Sequence, residues 1–377
     1  MKAGASSTPR LASTLLLAAR CAPSSVLGGG CDYKLLMVKR AMKARFMPGV
    51  HVFPGGVLEE SDKDPIWYAL FERQRKVMPT SFSSSSSSLS TSSLALRVAA
   101  IRELFEETNV LLTHPPSTML KEEGEGEQGR RRWRESVQKD AGQFARLFQQ
   151  LSSGPRNHED KGSLVLPDVH SLIPWSHWVT PAQERWRYDT YFYFAITESI
   201  PTRVMQDQSE VTSFDWFSPE EALRSFQEGT ISLAPPTWLL LQELRCDYPT
   251  LSHFDSLLSS PYSSVDGRRA KNEEIRRSRD MSPIQPDIKQ DEEGKVAICL
   301  PGDKDHHLTL EKQKKNETEG ECAGSNTFRR IVLLKKNEFM FQNDNKKSEE
   351  LLERKRMTEE EALAESVFLQ LKHSAAL

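Results

Sequence analysis

From Leu11 to Ala19 the chain is an almost unbroken run of Leu, Ala and Thr, followed by glycines at Gly28 to Gly30 and a second apolar run at Tyr33 to Lys39. Runs of this kind bounded by glycine predict two buried sheet strands. Pro65 to Val77 carries Trp67, Leu70 and Phe71 at helical spacing behind a proline suited to a first turn, which predicts a short helix. From Trp133 onward Val137, Ala141, Phe144, Phe148 and Leu151 recur at three- and four-residue steps, the stripe of one amphipathic helix packed on a core. Ile173 to Val179, Tyr188 to Ile196 and Val211 to Phe217 are rich in aromatic and β-branched residues and read as strands. Ser218 then stands as an N-cap, with Pro219 at the first helical position and Glu220 and Glu221 in the first turn. After about Tyr248 polar and lysine-rich segments dominate. There, strands are expected only at Val296 to Leu300 and Phe328 to Phe341, with a helix at Ser348 to Leu371 whose charges form a solvated face. Ser81 to Ser93 is nearly pure serine and threonine and cannot bury enough apolar surface to offset chain entropy, so a flexible link is expected.

Composition limits what the polar stretches can be. Hydrophobic residues make up 37% of the 377. Adding the 19 glycines gives only about 42%, below the roughly 45–50% of compact chains, so part of the chain is expected not to pack. Fifty basic against 53 acidic residues leave a net charge of −3, so there is no global field for nucleic acid and any phosphate site must be local. The longest apolar stretches fall short of the roughly 18 to 20 residues that span a bilayer. The five cysteines are scattered, without a Cys-x-x-Cys pair, which points to a reduced intracellular protein without a structural metal. His306 and His307, adjacent in the polar tail, are expected at the surface.

Chemistry concentrates at Arg102-Glu103-Leu104-Phe105-Glu106-Glu107. In helical projection Glu103, Glu106 and Glu107 share one face, while Val98, Ile101, Leu104, Phe105 and Thr108 form an apolar back. Three like charges within about a turn repel unless a cation neutralises them, and oxygen ligands suit a hard divalent ion, Mg²⁺ or Mn²⁺. Ala99 and Ala100 on the acidic side would let another backbone come close. Upstream, Phe53-Pro54-Gly55-Gly56 can turn sharply and present N–H groups to an anionic ligand. Asp62 follows, and Asn109 suits a left-handed cap at the end of the helix.

This ordered set resembles the Nudix hydrolase family, whose motif runs glycine, five residues, an acidic residue, seven residues, then Arg-Glu-apolar-x-Glu-Glu-x-Gly-apolar. Gly56, Arg102, Glu103, Leu104, Glu106, Glu107 and Val110 fall on that motif. Asp62 stands where the family usually has Glu, Asn109 replaces the terminal glycine, and about 32 extra residues split the box. Such an insert is similar to that of the acyl-coenzyme A diphosphatase subgroup, and the similarity extends through Arg45 to Gly56, Trp178-Val179-Thr180-Pro181, Arg187 to Thr190 and Ala234 to Thr237, with a weaker echo at Leu300 to Asp303.

The resemblance implies an α+β fold, an α/β/α sandwich with a mixed sheet between helices. It places a disordered start at residues 1–9, a hydrolase domain at 10–250 with an insert at 63–95, and a partly disordered C-terminal extension at 251–377. It also implies Mg²⁺- or Mn²⁺-dependent cleavage of the pyrophosphate of coenzyme A or acyl-coenzyme A, giving 3′,5′-ADP and (acyl-)4′-phosphopantetheine. Glu103, Glu106 and Glu107 are the implied metal ligands. Glu106 and Glu107 belong to the implied catalytic set, with Glu106 either a further ligand or the water-activating base, and Arg102 joins that set by holding a box glutamate in place. Gly55 and Gly56 would face the substrate, and Lys39, Arg40, Lys43 and Arg45 are the cations placed for the coenzyme's 3′-phosphate. Glu210 is a further candidate base. The expected partner is the small-molecule substrate, with no long nucleic acid and no membrane, in a monomer or homodimer. The expected location is the peroxisome, with the mitochondrion as the alternative because the first acidic residue is Asp32. Another Nudix pyrophosphatase and a non-catalytic ligand-binding protein are the competing functions.

Overall fold

The first apolar run forms β1 (Arg10–Arg20), the strand around which the computed structural model is organised. Residues 8–22, 31–44, 46–77, 90–115, 125–153, 164–201, 211–254, 281–290, 296–301, 306–307, 330–335 and 338–342 are described. After β1 come β2 (Tyr33–Arg40), β3 (His51–Val52), β4 (Gly55–Val57), a 3₁₀ turn at Glu60–Lys63, and the helices α1 (Pro65–Val77) and α2 (Thr91–Thr108). Then follow β5 (Thr113–His114), α3 (Glu125–Lys139), α4 (Gln143–Ser153), β6 (Leu166–Pro167), β7 (Ile173–Val179), β8 (Tyr188–Thr197) and β9 (Val211–Phe217). The remainder is α5 (Pro219–Gln227), α6 (Pro235–Asp247) and the strands β10 (Asp287–Gln290), β11 (Val296–Cys299), β12 (Arg330–Lys335) and β13 (Glu338–Gln342).

The main sheet runs β3-β2-β1-β8-β7, with β9 paired to β2 and β4 to β1. β1 lies parallel to β8 along its length, from Arg10 opposite Tyr188 to Ala19 opposite Thr197. Its other edge is divided. The C-terminal end pairs antiparallel with β2 at Ala18 and Leu35, while the N-terminal half pairs with β4 at Thr14 and Gly55. Successive β1 side chains enter opposite cores, as period-2 alternation requires. Leu16 and Ala18 pack with α5 and α6, whereas Leu15 and Leu17 pack with α2, α4 and Trp67 of α1. The helices thus cover both faces of a mixed sheet, and the expected sandwich is present.

Local signals set the helix ends. The Ser90 hydroxyl accepts the Ser93 N–H at the start of α2, and Asn109 closes it at φ 63° with its N–H on the Phe105 carbonyl. Ser218 and Glu221 form a reciprocal capping box on α5.

Four expectations change. The helix predicted from Trp133 to Leu151 is two helices, because the Asp140 carboxylate takes the Gly142 N–H at 2.9 Å and turns the chain at Asp140–Gly142. The serine tract ends earlier than expected: Ser90 is a cap and Thr91 to Ser93 already helix. Within the stretch from Phe328 to Phe341 the described residues form two antiparallel strands, β12 and β13. The tail also holds β10, not expected from sequence because Asp287-Ile288-Lys289-Gln290 carries a single apolar residue. The helix expected at Ser348 to Leu371, and most of the serine tract, lie outside the described residues.

β10 to β13 form a separate antiparallel sheet that is stitched to the main one. Ile284 donates to the His177 carbonyl at 2.8 Å and accepts from the Val179 N–H at 3.0 Å, along the edge of β7. Ile288, Val296, Ile298 and Leu300 join the core of α5 and α6. Among the described residues no helix is long and apolar enough to cross a membrane.

Candidate active site

The divided edge of β1 brings a glycine strand up to the carboxylate helix. Neither Gly55 nor Gly56 has a positive φ, so the sharp turn expected of the pair is not why glycine stands there. Space is the reason. A Cβ on Gly55 would sit 2.5 Å from the Ser13 carbonyl oxygen and 2.7 Å from Thr14 Cα, while one on Gly56 would sit 2.5 Å from the carboxyl carbon of Glu103. The Gly55 N–H, expected to meet an anionic ligand, donates instead to Glu107 Oε2 at 3.1 Å. The anion it binds is a side chain of the protein, which fixes Glu107 against β4.

Arg102 organises the rest. Its Nε and one terminal nitrogen grip both oxygens of Asp62 at 2.9 Å, rejoining the two halves of the split motif. The other terminal nitrogen donates to Glu103 at 2.9 Å and Glu106 at 2.7 Å, and a further N–H reaches the Val57 carbonyl at 3.0 Å. Five donor bonds match the five N–H groups of a guanidinium. Arg102, buried with Asp62, therefore orients carboxylates and has no donor left for a substrate. Burial works against its charge, but Glu103, Asp62 and Glu106 outweigh that and raise its pKa.

Glu103, Glu106 and Glu107 all border one cavity of about 930 Å³, together with Gly55 and Gly56. Burial pushes the Glu103 carboxyl up to about 8, against the pull of Arg102 and helped by neighbouring Glu106. A carboxylate that is costly to ionise alone becomes favourable when a cation arrives. Three glutamate side chains supply only hard oxygen donors, so the residues present fit Mg²⁺ or Mn²⁺. The end of α2 is held from outside by polar residues of α3. Arg134 donates to the Glu106 carbonyl at 2.7 Å and the Glu107 carbonyl at 2.9 Å, and Gln138 donates to Glu106 at 2.8 Å.

The described members of the basic cluster stand in different places. Arg40 borders the cavity, its Nε held by the Phe46 carbonyl at 3.1 Å. Lys39, the next residue on a strand, is not on the cavity wall and acts electrostatically on His51 and Asp215. Lys43 is exposed and also away from the wall. Arg45 and Glu210 lie outside the described residues. Arg10 and Lys139 are cavity cations that were not anticipated.

Of the two tail histidines, His306 differs from expectation and His307 is partly exposed. His306 is fully buried, its Nε2 hydrogen-bonded with the Gln285 carbonyl at 2.8 Å. The His307 backbone N–H donates to Asp287 at 2.7 Å, and its ring meets the same carboxylate at 2.9 Å. Possible ligand atoms of Asp287, His306 and His307 lie within 4.8 Å of one another. Their hydrogen bonds already engage the carboxylate and account for the cluster as a latch on β10.

Residues 9–244 match the family described as the NUDT19 Nudix domain. A Xenopus laevis protein named acyl-coenzyme A diphosphatase NUDT19 is 30% identical over 338 residues, covering 80% of this chain and 81% of that protein. The Gallus gallus protein of the same name is 34% identical over 279 residues, covering 64% and 69%. A solved Nudix hydrolase from Alicyclobacillus acidocaldarius overlays with a TM-score of 0.46 at 22% identity, covering 67% of this chain and 98% of that one.

Proposed function

Because the chain belongs to the NUDT19 Nudix domain family, we propose that it hydrolyses the pyrophosphate bond of coenzyme A and acyl-coenzyme A with Mg²⁺ or Mn²⁺, giving 3′,5′-ADP and (acyl-)4′-phosphopantetheine. The observation that carries this reading is the cluster of Glu103, Glu106 and Glu107, held by Arg102 and Gly55 on the wall of the cavity. A pyrophosphate resists water because its own charge repels the nucleophile. When bound, the divalent cation neutralises that charge and lowers the pKa of water.

The chain's residues do the remaining work. Glu103 and Glu107 hold the cation, and Glu106 serves as a further ligand or as the base that takes the proton of the attacking water. Water adds to one phosphorus and the bridging P–O bond breaks. Arg102 is a positioning residue. Arg40, with Arg10 and Lys139, supplies the positive charge for the anionic nucleotide end. The peroxisomal location rests on the subgroup resemblance alone, and imaging of a tagged chain with both its termini intact tests it.

The biochemical test is incubation of the purified chain and Mg²⁺ with coenzyme A, an acyl-coenzyme A, NADH and ADP-ribose, with products identified by mass. Release of 3′,5′-ADP from the first two at the highest kcat/KM supports the reading. Preference for NADH or ADP-ribose, or no turnover at all, overturns it.

A further inference from the structure

The catalytic cavity is completed by a part of the chain outside the matched family stretch of 9–244. Pro286, Ile288 and Ile298 stand on its wall, on and beside β10 and β11. Ile288 and Ile298 are directly opposed partners of the antiparallel pair, so their side chains lie on one face of the small sheet. Both are nearly buried, at 5% and 2% exposure. From the main domain, Phe46, Met47 and Trp178 border the same cavity. The wall is anchored on both sides: Ile284 bonds along β7, and Asp287, whose side chain alternates away from that of Ile288, is engaged by His307.

We propose that this wall receives the alkyl chain of an acyl-thioester substrate, so that the C-terminal extension sets which thioesters the enzyme cleaves. The inference rests on the function proposed above and assigns one end of its substrate. An acyl-coenzyme A has three chemically distinct parts besides its pyrophosphate. The 3′-phosphorylated nucleoside needs cations, which Arg10, Arg40 and Lys139 provide elsewhere on the cavity. The pantetheine amides need hydrogen-bond partners, since an unpaired amide in an apolar site is destabilising. Pro286, Ile288 and Ile298 offer no polar side-chain atom. A hydrocarbon chain gains by lying against them, because its own apolar area is then removed from water.

The test compares substrates within each protein. kcat/KM is measured for free coenzyme A and for acetyl-, octanoyl- and palmitoyl-coenzyme A, on the unmutated chain and on Ile288→Thr, Ile298→Thr and the double variant. Threonine keeps the β-branched strand shape and replaces apolar contact with a hydroxyl. The ratio of octanoyl to free coenzyme A should fall roughly tenfold in the double variant, the scale on which an apolar pocket discriminates one or two methylenes. A ratio unchanged within twofold overturns the proposal.

A second measurement needs no change in the wall. In Glu107→Gln protein with Mg²⁺, octanoyl-coenzyme A should slow amide exchange at residues 287–290 and 296–299 beyond the effect of free coenzyme A. Equal protection by the two would show that the wall holds the coenzyme instead, and overturns the assignment. If the unmutated chain cleaves neither compound, the proposed function fails and this inference with it. If it cleaves both while ratio and protection are unchanged, only this inference fails.

Discussion

Adding one methyl group at Gly55 or at Gly56 should separate folding from catalysis in two neighbouring residues. Non-bonded carbons rest at about 3.5–4.0 Å. A Gly56→Ala methyl would begin 2.5 Å from the Glu103 carboxyl carbon and one oxygen, and 2.6 Å from the other. The carboxylate must therefore move by roughly 1 Å, and it can, because it is the far end of a side chain. What it cannot do is move and keep both its 2.9 Å bond from Arg102 and its place beside Glu106 and Glu107. A displacement of about 1 Å at a reacting centre costs on the order of 10²-fold in rate, so kcat should fall about a hundredfold and the Mg²⁺ needed for half-maximal activity should rise. Overpacking of this local kind destabilises by about 1–2 kcal/mol, so the melting temperature should fall only a few degrees.

At Gly55→Ala the methyl meets the Ser13 carbonyl oxygen and Thr14 Cα, backbone of the central strand, at 2.5 and 2.7 Å. Backbone cannot rotate aside, so β4 must part from β1 and lose the Thr14–Gly55 pairing. Thermal unfolding should therefore show the larger loss at Gly55→Ala, about 3 kcal/mol or more by the same overpacking argument. Turnover on coenzyme A and calorimetry on the same preparations measure both effects. Wild-type kcat in Gly56→Ala, or a larger stability loss there than in Gly55→Ala, would refute the steric reasoning.

Four other outcomes follow from the geometry. Glu107→Gln should lower kcat by orders of magnitude with near-native unfolding, since the amide oxygen can still accept the Gly55 N–H; full activity would remove Glu107 from the cation site. Arg102→Lys cannot reproduce five donor bonds around a buried carboxylate and should destabilise by about 3–5 kcal/mol in chemical denaturation, so a loss under about 1 kcal/mol would contradict the network. His51 is held neutral by burial and by Lys39, its pKa lowered from 6.5 to about 4. Between those values the unfolded chain takes up a proton that the folded chain refuses, so stability should drop by up to about 3 kcal/mol as pH falls from 6.5 to 4, and His51→Leu should flatten that slope in pH-dependent denaturation. Arg40→Ala should raise KM for coenzyme A roughly tenfold relative to dephospho-coenzyme A, whereas equal changes on both would show that Arg40 does not meet the 3′-phosphate.

What the sequence disclosed was whatever depends on a short repeat. The shared face of Glu103, Glu106 and Glu107 follows from helical spacing, and the left-handed end at Asn109 from the preference of that residue. The break in the helix expected from Trp133 to Leu151 had a readable signal, because Asp140-Ala141-Gly142 is a turn sequence. The wall formed by Pro286, Ile288 and Ile298 had none. It depends on two four-residue strands meeting α5 and α6 as well as β7, all distant in sequence, and nothing in so short a run fixes its partner. Burial of His306 was hidden for the same reason, because it is hydrogen-bonded to Gln285, distant in a polar tail.

The split motif shows why a long insertion leaves the site intact. Lengthening the connection between Asp62 and Arg102 from seven residues to roughly 39 adds only about 1.5 kcal/mol of loop-closure entropy, because that cost grows with the logarithm of length. The insertion also contributes packing of its own. Trp67 of α1 is buried against Phe144 and Phe148 of α4, and Gln74 accepts the Leu164 N–H at 2.7 Å. Burial of a large aromatic side chain stabilises by about 1.5–3 kcal/mol, enough to offset the closure term. The register of the reacting groups is then set by direct bonds: Asp62 and Arg102 meet through two 2.9 Å contacts, and Arg102 in turn holds Glu103 and Glu106. The chemistry therefore depends on where the two ends of the insertion are pinned, and the length of chain between them is free to vary.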